Sequence, residues 1–252
     1  ITDTQPFGVI AFPREINAAR TDRFTGWGRF SLSNPLCYAA LAAKDGADTR
    51  RLRVTTTNGP VTRDTNPLAV QYRVRGTFTG LLYDPLGRRY DGRVRPWLAA
   101  DWDWEDRDGT AVGTIQLRPD LRWHDGRLLT ASDVAFTYRF LKDTSLGRAE
   151  TPIPAPRFSG RASLVGEVQA HDEETVELRC PETSPEVARR ALTVPILPSH
   201  VWKSKTPLTD VAGADTSVTE ALVWSNSNPV GSGILQFESR TQDQSLVLAR
   251  FE

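Results

Sequence analysis

The chain has 252 residues, 39% of them hydrophobic, which is enough to bury the core of one large domain or of two small ones. The chain contains 31 basic residues (lysine and arginine) and 31 acidic residues (aspartate and glutamate), so its formal net charge is +0. A nucleic-acid-binding protein usually carries a basic excess, and the balance therefore argues against that class. No apolar run approaches the roughly 20 residues that a membrane-spanning helix needs.

The first part of the chain predicts three short elements before a longer domain begins. Residues 7–13 end in proline and have the apolar content of a short buried strand. Residues 33–43 predict a helix, and residues 44–51 are polar, contain a glycine and predict a linker. A β-branched strand is expected over residues 52–57, followed by the turn sequence N-G-P. Because the chain starts at Ile1 with no initiator Met and no signal-peptide pattern, we expect a processed or excised piece.

The middle of the chain predicts a helix and two hairpins. Helical spacing of apolar residues over 70–83 predicts a helix that packs on a sheet, and residues 83–87 predict the turn that ends it. Residues 106–109 read D-R-D-G, which predicts a hairpin turn before a returning strand. A second hairpin is expected over residues 164–179, with its turn at residues 171–174.

The most informative segment runs from Leu117 to Phe140. Residues 119–120 predict a corner after an extended run, and residues 124–126, H-D-G, predict a tight turn. Thr130 is the expected N-cap of a helix, and Asp133 three residues later completes a capping box with Asp in place of the usual Glu. The predicted apolar face of this helix consists of Val134, Phe136, Tyr138, Phe140 and Leu141.

The C-terminal part predicts one further helix and a final strand. Ser184 and Pro185 are the expected N-cap and first residue of the helix. Residues 245–250 predict the last strand of the chain.

The residues that could carry catalysis or bind a metal do not form a catalytic pattern. His124 beside Asp125 on a turn lacks the three or four converging ligands that zinc needs, and His171 and His200 show no metal-binding spacing. Residues 231–233, G-S-G, are not the G-x-S-x-G of a nucleophile elbow and suit a hinge better. Phosphate-binding and dinucleotide-binding glycine motifs are absent from the sequence, so we expect no enzyme activity and no cofactor.

Two other features have two interpretations each. The tryptophans and carboxylates of residues 97–105 could form a sugar platform or a cation site, but such a cluster is more often packing at a strand edge. Cys37 and Cys180 could form a disulfide in an oxidising compartment or remain two buried free thiols.

Several ordered phrases resemble one protein family. The sequence W-H-D-G at residues 123–126 followed by L-T-A-S-D-V-A-F-T-Y at 129–138 resembles the signature of the extracytoplasmic solute-binding proteins of ABC importers, in the dipeptide, oligopeptide and nickel class. Residues 52–57 resemble the first strand of that family, and residues 228–233, N-P-V-G-S-G, resemble the element at which its chain first leaves lobe one. Residues 18–27, A-A-R-T-D-R-F-T-G-W, resemble a segment that closes lobe two near the end of the family's chain, although here it comes first.

This order implies a partial protein with an α+β fold. The resemblance implies a mixed-sheet lobe of a type II periplasmic-binding-protein-like fold, with the second lobe mostly absent. The implied domains are a tail-like segment over residues 1–43, a linker over 44–51, lobe one over 52–233 and the start of the crossing to lobe two over 234–252. A circular permutation, two tandem copies cut across their junction and joined pieces all explain the tail-before-head order.

The resemblance also implies a function and a site. The protein would bind peptides or similar small solutes by cleft closure and deliver them to ABC permease subunits outside the cytoplasm, without contact with nucleic acid. It would meet a membrane only through a lipid anchor outside this chain. The competing interpretation is a regulatory or interaction protein that uses the same lobe as a sensor.

The implied ligand-binding residues lie mainly in the loop after the first strand, where backbone groups can pair with an extended peptide. The expected ligand-binding residues are Thr57, Asn58, Gly59, Phe78, Tyr83 and Trp27. Core packing is the alternative role for the three aromatic residues. The expected hinge residues are Asn228, Pro229, Gly231 and Gly233.

Overall fold

The computed structural model places most of the second half of the chain and parts of the first. The residues that it describes are 21–27, 34–48, 52–53, 65–68, 79–146, 153–154, 158–210, 217–241 and 244–251. The chain divides into two compact units, Ile1–Arg53 and Val54–Glu252. The predicted linker at residues 44–51 ends just before this division, and the strand predicted over residues 7–13 lies outside the described residues.

The described residues form short helices and mostly short strands. The helices are α1 (Pro35–Ala39), α2 (Thr79–Leu82), α3 (Ala131–Asp143), α4 (Ser159–Ala162), α5 (Pro185–Ala188) and α6 (Ser199–Trp202), with 3₁₀ turns at Arg189–Thr193 and Glu220–Leu222. The strands are β1 (Phe24–Thr25), β2 (Ala42–Ala43), β3 (Gly87–Tyr90), β4 (Arg93–Pro96), β5 (Ala99–Arg107), β6 (Thr110–Leu117), β7 (Ser145–Leu146), β8 (Ile153–Pro154), β9 (Glu167–Ala170), β10 (Thr175–Cys180), β11 (Leu208–Asp210), β12 (Ser217–Thr219), β13 (Leu235–Thr241) and β14 (Ser245–Arg250).

In the first unit the predicted helix is shorter than expected. Asn34 caps it, because its side-chain oxygen accepts a hydrogen bond from the Leu36 backbone N–H at 3.0 Å. The helix ends at Ala39 instead of Ala43, which corrects the prediction over residues 33–43. Ala42 and Ala43 form β2 and pair with β1, so tertiary pairing overrides the helix propensity of alanine at these positions.

The second unit is built on a four-stranded antiparallel sheet with the order β5-β6-β10-β9. Both predicted hairpins are present. Asp108 and Gly109 connect β5 to β6 with φ angles of 52° and 78°, which a short turn of this kind requires. The turn between β9 and β10 is held by Asp172, whose Oδ1 accepts hydrogen bonds from the backbone N–H groups of Glu174 and Thr175 at 2.8 and 2.7 Å.

Helix α3 covers one face of this sheet at β9 and β10. The predicted capping box between Thr130 and Asp133 is present. The predicted apolar face is also correct: Val134, Tyr138 and Leu141 are fully buried, Phe140 is nearly so and Phe136 packs at the edge of the core. The predicted corner lies at Asp120, which has a φ of 55°.

The Asp133 side chain joins three segments of the second unit. Its Oδ2 accepts hydrogen bonds from the Trp123 indole N–H and from the Thr130 backbone N–H, both at 3.2 Å. Its Oδ1 accepts a hydrogen bond from the backbone N–H of Ser199, the first residue of α6, at 3.0 Å. Asp133 is 5% exposed, so this carboxylate holds the W-H-D-G turn, the start of α3 and the start of α6 together inside the core.

Helix α3 also binds the segment that leads into α6. The Thr137 hydroxyl donates to the Asp133 carbonyl at 2.8 Å and accepts from the Leu197 backbone N–H at 3.0 Å. The Tyr138 hydroxyl donates to the Ala191 carbonyl at 2.9 Å. The segment from α5 to α6 is therefore fixed to the helix by buried hydrogen bonds as well as by apolar packing.

Smaller antiparallel elements complete the described part of the second unit. A second four-stranded sheet has the order β11-β12-β7-β8, and β3–β4 and β13–β14 form two-stranded ribbons. The predicted final strand is β14, and Ser184 and Pro185 open α5 as predicted. The described strand pairs are antiparallel, with one isolated parallel bridge between Thr110 and Thr183. The first strand of the predicted mixed sheet, residues 52–57, lies outside the described residues from residue 54 onward.

Two further expectations concern the cysteines and membrane spans. Cys37 and Cys180 are both buried free thiols, which is the second of the two alternatives. Burial raises the pKa of the Cys180 thiol to about 11. None of the helices in the described ranges combines the length and the apolar character needed to cross a bilayer.

The Asp133 network predicts that Asp133→Asn lowers the free energy of unfolding by about 2 to 4 kcal/mol. An asparagine keeps one acceptor oxygen, but its amide group would face either the Ser199 N–H or the Trp123 and Thr130 N–H groups, which are donors. Urea unfolding measures the change.

The matched control is Asp143→Asn, the same substitution at the exposed last residue of the same helix. It should change stability by less than about 0.5 kcal/mol, because the site is exposed and a negative charge near a helix C-terminus is mildly unfavourable. Equal stability of the two variants would contradict the role given to Asp133.

Candidate functional site

The predicted hinge residues lie in one extended segment, residues 228–233, which we call the crossing segment. Asn228 is exposed, whereas Pro229, Gly231 and Gly233 are buried. The segment leads directly into β13 and passes beside the end of α2, where the Gly233 backbone N–H donates to the Leu82 carbonyl at 2.9 Å.

Glycine is required twice in the crossing segment because the backbone of α2 is too close for a side chain. A Cβ at Gly231 would lie 1.8 Å from the Leu82 carbonyl oxygen, and a Cβ at Gly233 would lie 2.0 Å from the Leu81 carbonyl oxygen. The G-S-G sequence therefore serves close backbone approach, and Ser232 between the glycines accepts a long hydrogen bond of 3.4 Å from the Asp84 backbone N–H.

His124 also contacts the crossing segment. Its backbone N–H donates to the Gly231 carbonyl at 2.8 Å, and its ring Nδ1 accepts from the Gly231 backbone N–H at 3.2 Å. The ring Nε2 lies 2.9 Å from the Gly233 carbonyl oxygen. Because Nδ1 accepts and a carbonyl can only accept, these contacts fit the neutral imidazole that carries its proton on Nε2.

The surroundings of His124 favour this neutral form. Burial lowers the pKa of His124 below its ordinary value of 6.5, although the hydrogen bond to Gly233 and the charge of Asp125 act in the opposite direction. The Phe251 ring at the end of β14 meets the imidazole edge to face, with the centroids 4.8 Å apart.

A buried ion pair lies behind the crossing segment, between Asp84 and Arg88. The Arg88 guanidinium also donates to the Gly80 carbonyl at 2.9 Å and lies 4.8 Å from the centroid of the Trp97 ring. Burial raises the pKa of Asp84, while the charge of Arg88 opposes this effect. The pair connects α2 to β3 and stabilises the surface on which the crossing segment packs.

A second polar group, which the sequence analysis did not select, holds the chain just before the crossing segment. Asn66 donates to the carbonyls of Ala221 and Trp224 at 2.8 and 2.7 Å. Asn226 has a φ of 44° and donates to the Tyr83 hydroxyl at 2.6 Å. Asn66-Pro67 is a typical turn-initiating pair, so a signal for the first of these asparagines was present in the sequence.

The structure describes two of the six predicted ligand-binding residues. Tyr83 is 2% exposed and bonded to Asn226, so it occupies a core position, which is the alternative given for it above. Trp27 is half-buried and belongs to the first unit, Ile1–Arg53. Thr57, Asn58, Gly59 and Phe78 lie outside the described residues.

The candidate catalytic and metal-binding residues have structural contacts instead. His124 is engaged with backbone groups, while Asp125 is bonded to His200 Nε2 at 2.8 Å and His171 lies 3.8 Å from Glu177. Within the described ranges, no group of three or more histidine, cysteine, aspartate or glutamate side chains is placed to hold a metal ion.

The tryptophan cluster of residues 97–105 is mainly packing. Trp97, Trp102 and Trp104 pack against the core, and the Trp104 ring lies so close to Gly113 that a Cβ there would be 2.7 Å away. The carboxylates that alternate with these rings on β5 are exposed.

One surface groove of about 380 Å³ lies between α3 and the strands β9 and β10. Arg139 and Lys142 donate to the carbonyls of Val168 and Gly166 at its edge, and Arg179 pairs with Glu177. Four of its charged side chains therefore bind one another or the backbone, and none of the predicted ligand-binding residues lines it.

Comparison with known proteins gives a family match over most of the chain. The family model described as "Bacterial extracellular solute-binding proteins, family 5 Middle" matches residues 93–252. A Brucella ovis protein named as an ABC transporter peptide-binding protein is 28% identical over 195 residues, which cover 73% of this chain and 31% of the relative.

Solved structures give the same result for the fold. The periplasmic oligopeptide-binding protein of Thermotoga maritima, solved with mannohexaose, matches with a TM-score of 0.57 and 29% identity over 77% of this chain and 32% of its own. The oligopeptide-binding protein AppA of Bacillus subtilis, solved with a nonapeptide, matches with a TM-score of 0.57 and 21% identity over 78% of this chain and 35% of its own. The predicted type II periplasmic-binding-protein-like lobe is confirmed, and the chain spans about a third of the length of these relatives.

The close approach at the crossing segment predicts that Gly231→Ala lowers the free energy of unfolding by at least about 2 kcal/mol, because the new Cβ would overlap the Leu82 carbonyl. Urea unfolding gives the difference. The matched control is Gly160→Ala in α4, where a Cβ meets nothing within 4 Å. It should be neutral or stabilise by up to about 1 kcal/mol. A Gly231→Ala variant as stable as this control would contradict the packing described here.

The lowered pKa of His124 predicts that the protein loses stability as the pH falls below 6.5. Under those conditions the unfolded chain takes up a proton that the folded ring does not, so the stability decreases until the pH reaches the lower pKa of the folded state. Unfolding free energies measured from about pH 7.5 to about pH 5.5 should show a smaller decrease for His124→Gln than for the wild type. Equal slopes would contradict the pKa shift.

Proposed function

Because the chain belongs to family 5 of the bacterial extracellular solute-binding proteins, we propose that it is the lobe-one part of the solute-binding component of an ABC importer. It would capture peptides or similar small solutes by closing a cleft between two lobes, with no bond made or broken. The observation that carries the proposal is the crossing segment: its buried glycines, Gly231 and Gly233, lie in close contact with α2 and His124, and the chain continues from them into β13.

The proposal includes the partners and the location. ABC permease subunits would receive the solute, the protein would work outside the cytoplasm, and a lipid anchor outside this chain would attach it to a membrane. The loop with Thr57, Asn58 and Gly59 would pair with the backbone of an extended peptide, and Phe78 and Trp27 would line the cleft. The Brucella ovis relative supports a peptide by its name, whereas the Thermotoga maritima structure contains an oligosaccharide, so both classes belong in a binding test.

The experiment is a binding panel on the full-length gene product. Mixed peptides of two to about ten residues and linear manno-oligosaccharides are each incubated with the protein, and native mass spectrometry identifies what remains bound. We expect peptides to be retained and to raise the melting temperature, because a ligand that binds only the folded state stabilises it by mass action.

The control is the same panel on residues 1–252 alone. This chain should bind any retained solute at least about tenfold more weakly, because roughly half of the contacts of a two-lobe cleft would be missing. Equal affinity of the two proteins would contradict cleft closure. Retention of no member of either class would overturn the solute-binding proposal and favour a sensor that uses the same lobe.

A further inference from the structure

His124 and the crossing segment share three contacts that the solute-binding proposal does not by itself require. The histidine donates through its backbone N–H, accepts through Nδ1 and places Nε2 next to a carbonyl, all within the span from Gly231 to Gly233. The segment is also bonded to α2, because the Leu82 carbonyl accepts from the Gly233 N–H. One side chain thus engages two backbone groups of a segment that is also fixed to α2.

We propose that His124 is a positioning residue whose neutral imidazole holds the crossing segment against lobe one through its contacts with Gly231 and Gly233, which we call the latch. The latch determines where the lobes pivot and how readily they open. This inference rests on the proposed function for its consequence, the opening of the cleft, while the latch itself is a property of the contacts described here. The W-H-D-G turn then has a mechanical role, which differs from the catalytic or metal-binding role considered for it from the sequence.

The chemistry of the ring explains why a histidine suits this position. Gly231 N–H requires an acceptor and the Gly233 carbonyl requires a donor, and the imidazole with its proton on Nε2 supplies both on a rigid ring. Asparagine reaches only the position of Nδ1, and glutamine reaches only the position of Nε2. Each of them could replace one of the two ring contacts.

Protonation would break the latch on one side. A proton on Nδ1 would point at the Gly231 N–H, so that two donors would face each other. The elements next to His124 carry the following charged groups. Asp125 follows His124 in the turn and is shared with His200 of α6, Asp84 and Arg88 pair with each other beyond α2, and Arg250 is exposed on β14. Of these, Asp125 favours the protonated ring, whereas burial opposes it.

The first test measures amide hydrogen exchange at Gly231 and Gly233 in the full-length gene product without added solute. His124→Gln should accelerate exchange at Gly231 by about tenfold or more, since that amide loses its acceptor. His124→Asn should restore part of the protection of Gly231, because its side-chain oxygen can take the place of Nδ1. The matched control is His171→Gln in the β9–β10 turn, which should leave both glycines unchanged.

A global loss of stability would accelerate exchange throughout the protein, so the change must be larger at the crossing segment than in β6 and β10. Unchanged exchange at Gly231 in His124→Gln would overturn the latch. Acceleration of equal size in all of these elements would overturn it as well, because His124 would then act only as part of the core.

The second test needs no substitution. Nitrogen-15 spectra of the imidazole in the wild-type protein at neutral pH should show an unprotonated Nδ1 and a protonated Nε2 for His124. As the pH is lowered through the titration of His124, the protection factor of Gly231, which is the exchange rate corrected for the intrinsic pH dependence of amide exchange, should fall in the wild type and stay constant in His124→Gln. A proton on Nδ1 at neutral pH, or exchange at Gly231 that does not follow the titration, would overturn the proposal.

The consequence for the lobes is read by small-angle X-ray scattering of the solute-free protein. His124→Gln should change the radius of gyration relative to the wild type, whereas His171→Gln should not. Equal radii for all three proteins would overturn the claim that His124 determines how readily the lobes open. The exchange and tautomer measurements use no solute, so they test the latch even if the binding panel retains nothing. Conversely, if the binding panel retains peptides but the exchange and tautomer measurements contradict the latch, only this inference is overturned and the proposed function stands.

Discussion

The carboxylate of Asp133 is the interaction on which the described part of the second unit depends. It is buried, it begins the longest helix by capping it, and it accepts hydrogen bonds from Trp123 and Ser199, which come from segments far apart in the sequence. A buried carboxylate with both oxygens engaged is stable only in one arrangement of its donors, since each lost donor leaves charge without compensation. It therefore fixes the position of Trp123, and with it the adjacent His124.

The fixed position of Trp123 in turn constrains the crossing segment. The indole of Trp123 is fully buried, and the next residue presents its imidazole to Gly231 and Gly233. The carbonyls of α2 leave no room for a Cβ at either glycine. The crossing segment contacts a helix end and a turn, both of which are fixed to the core. The residues that follow it, at the start of β13, are half-exposed.

The sequence predicted well the elements whose signals are local. The capping box at Thr130, the turns at Asp108 and at residues 171–174 and the apolar face of α3 all follow from spacing and turn chemistry, and all are confirmed. The helix predicted to reach Ala43 was too long, because pairing of β2 with β1 is a tertiary interaction that alanine propensity cannot reveal. Domain boundaries and the ligand-binding loop remain predictions, since the residues that would test them lie outside the described ranges.

The candidate site shows why residue types alone did not identify its main feature. A histidine followed by an aspartate suggests acid–base chemistry or a metal, and sequence spacing could only argue against both. The deciding facts are that the imidazole lies between two glycines more than a hundred residues away, and that the aspartate faces His200 instead. Neither of these contacts can be predicted from the order of residues in the chain. The G-S-G sequence was predicted as a hinge because hinge closure is absorbed at a few positions, and the structure shows that both glycines are needed for close packing. In this lobe the two glycines let the crossing segment pack tightly against α2.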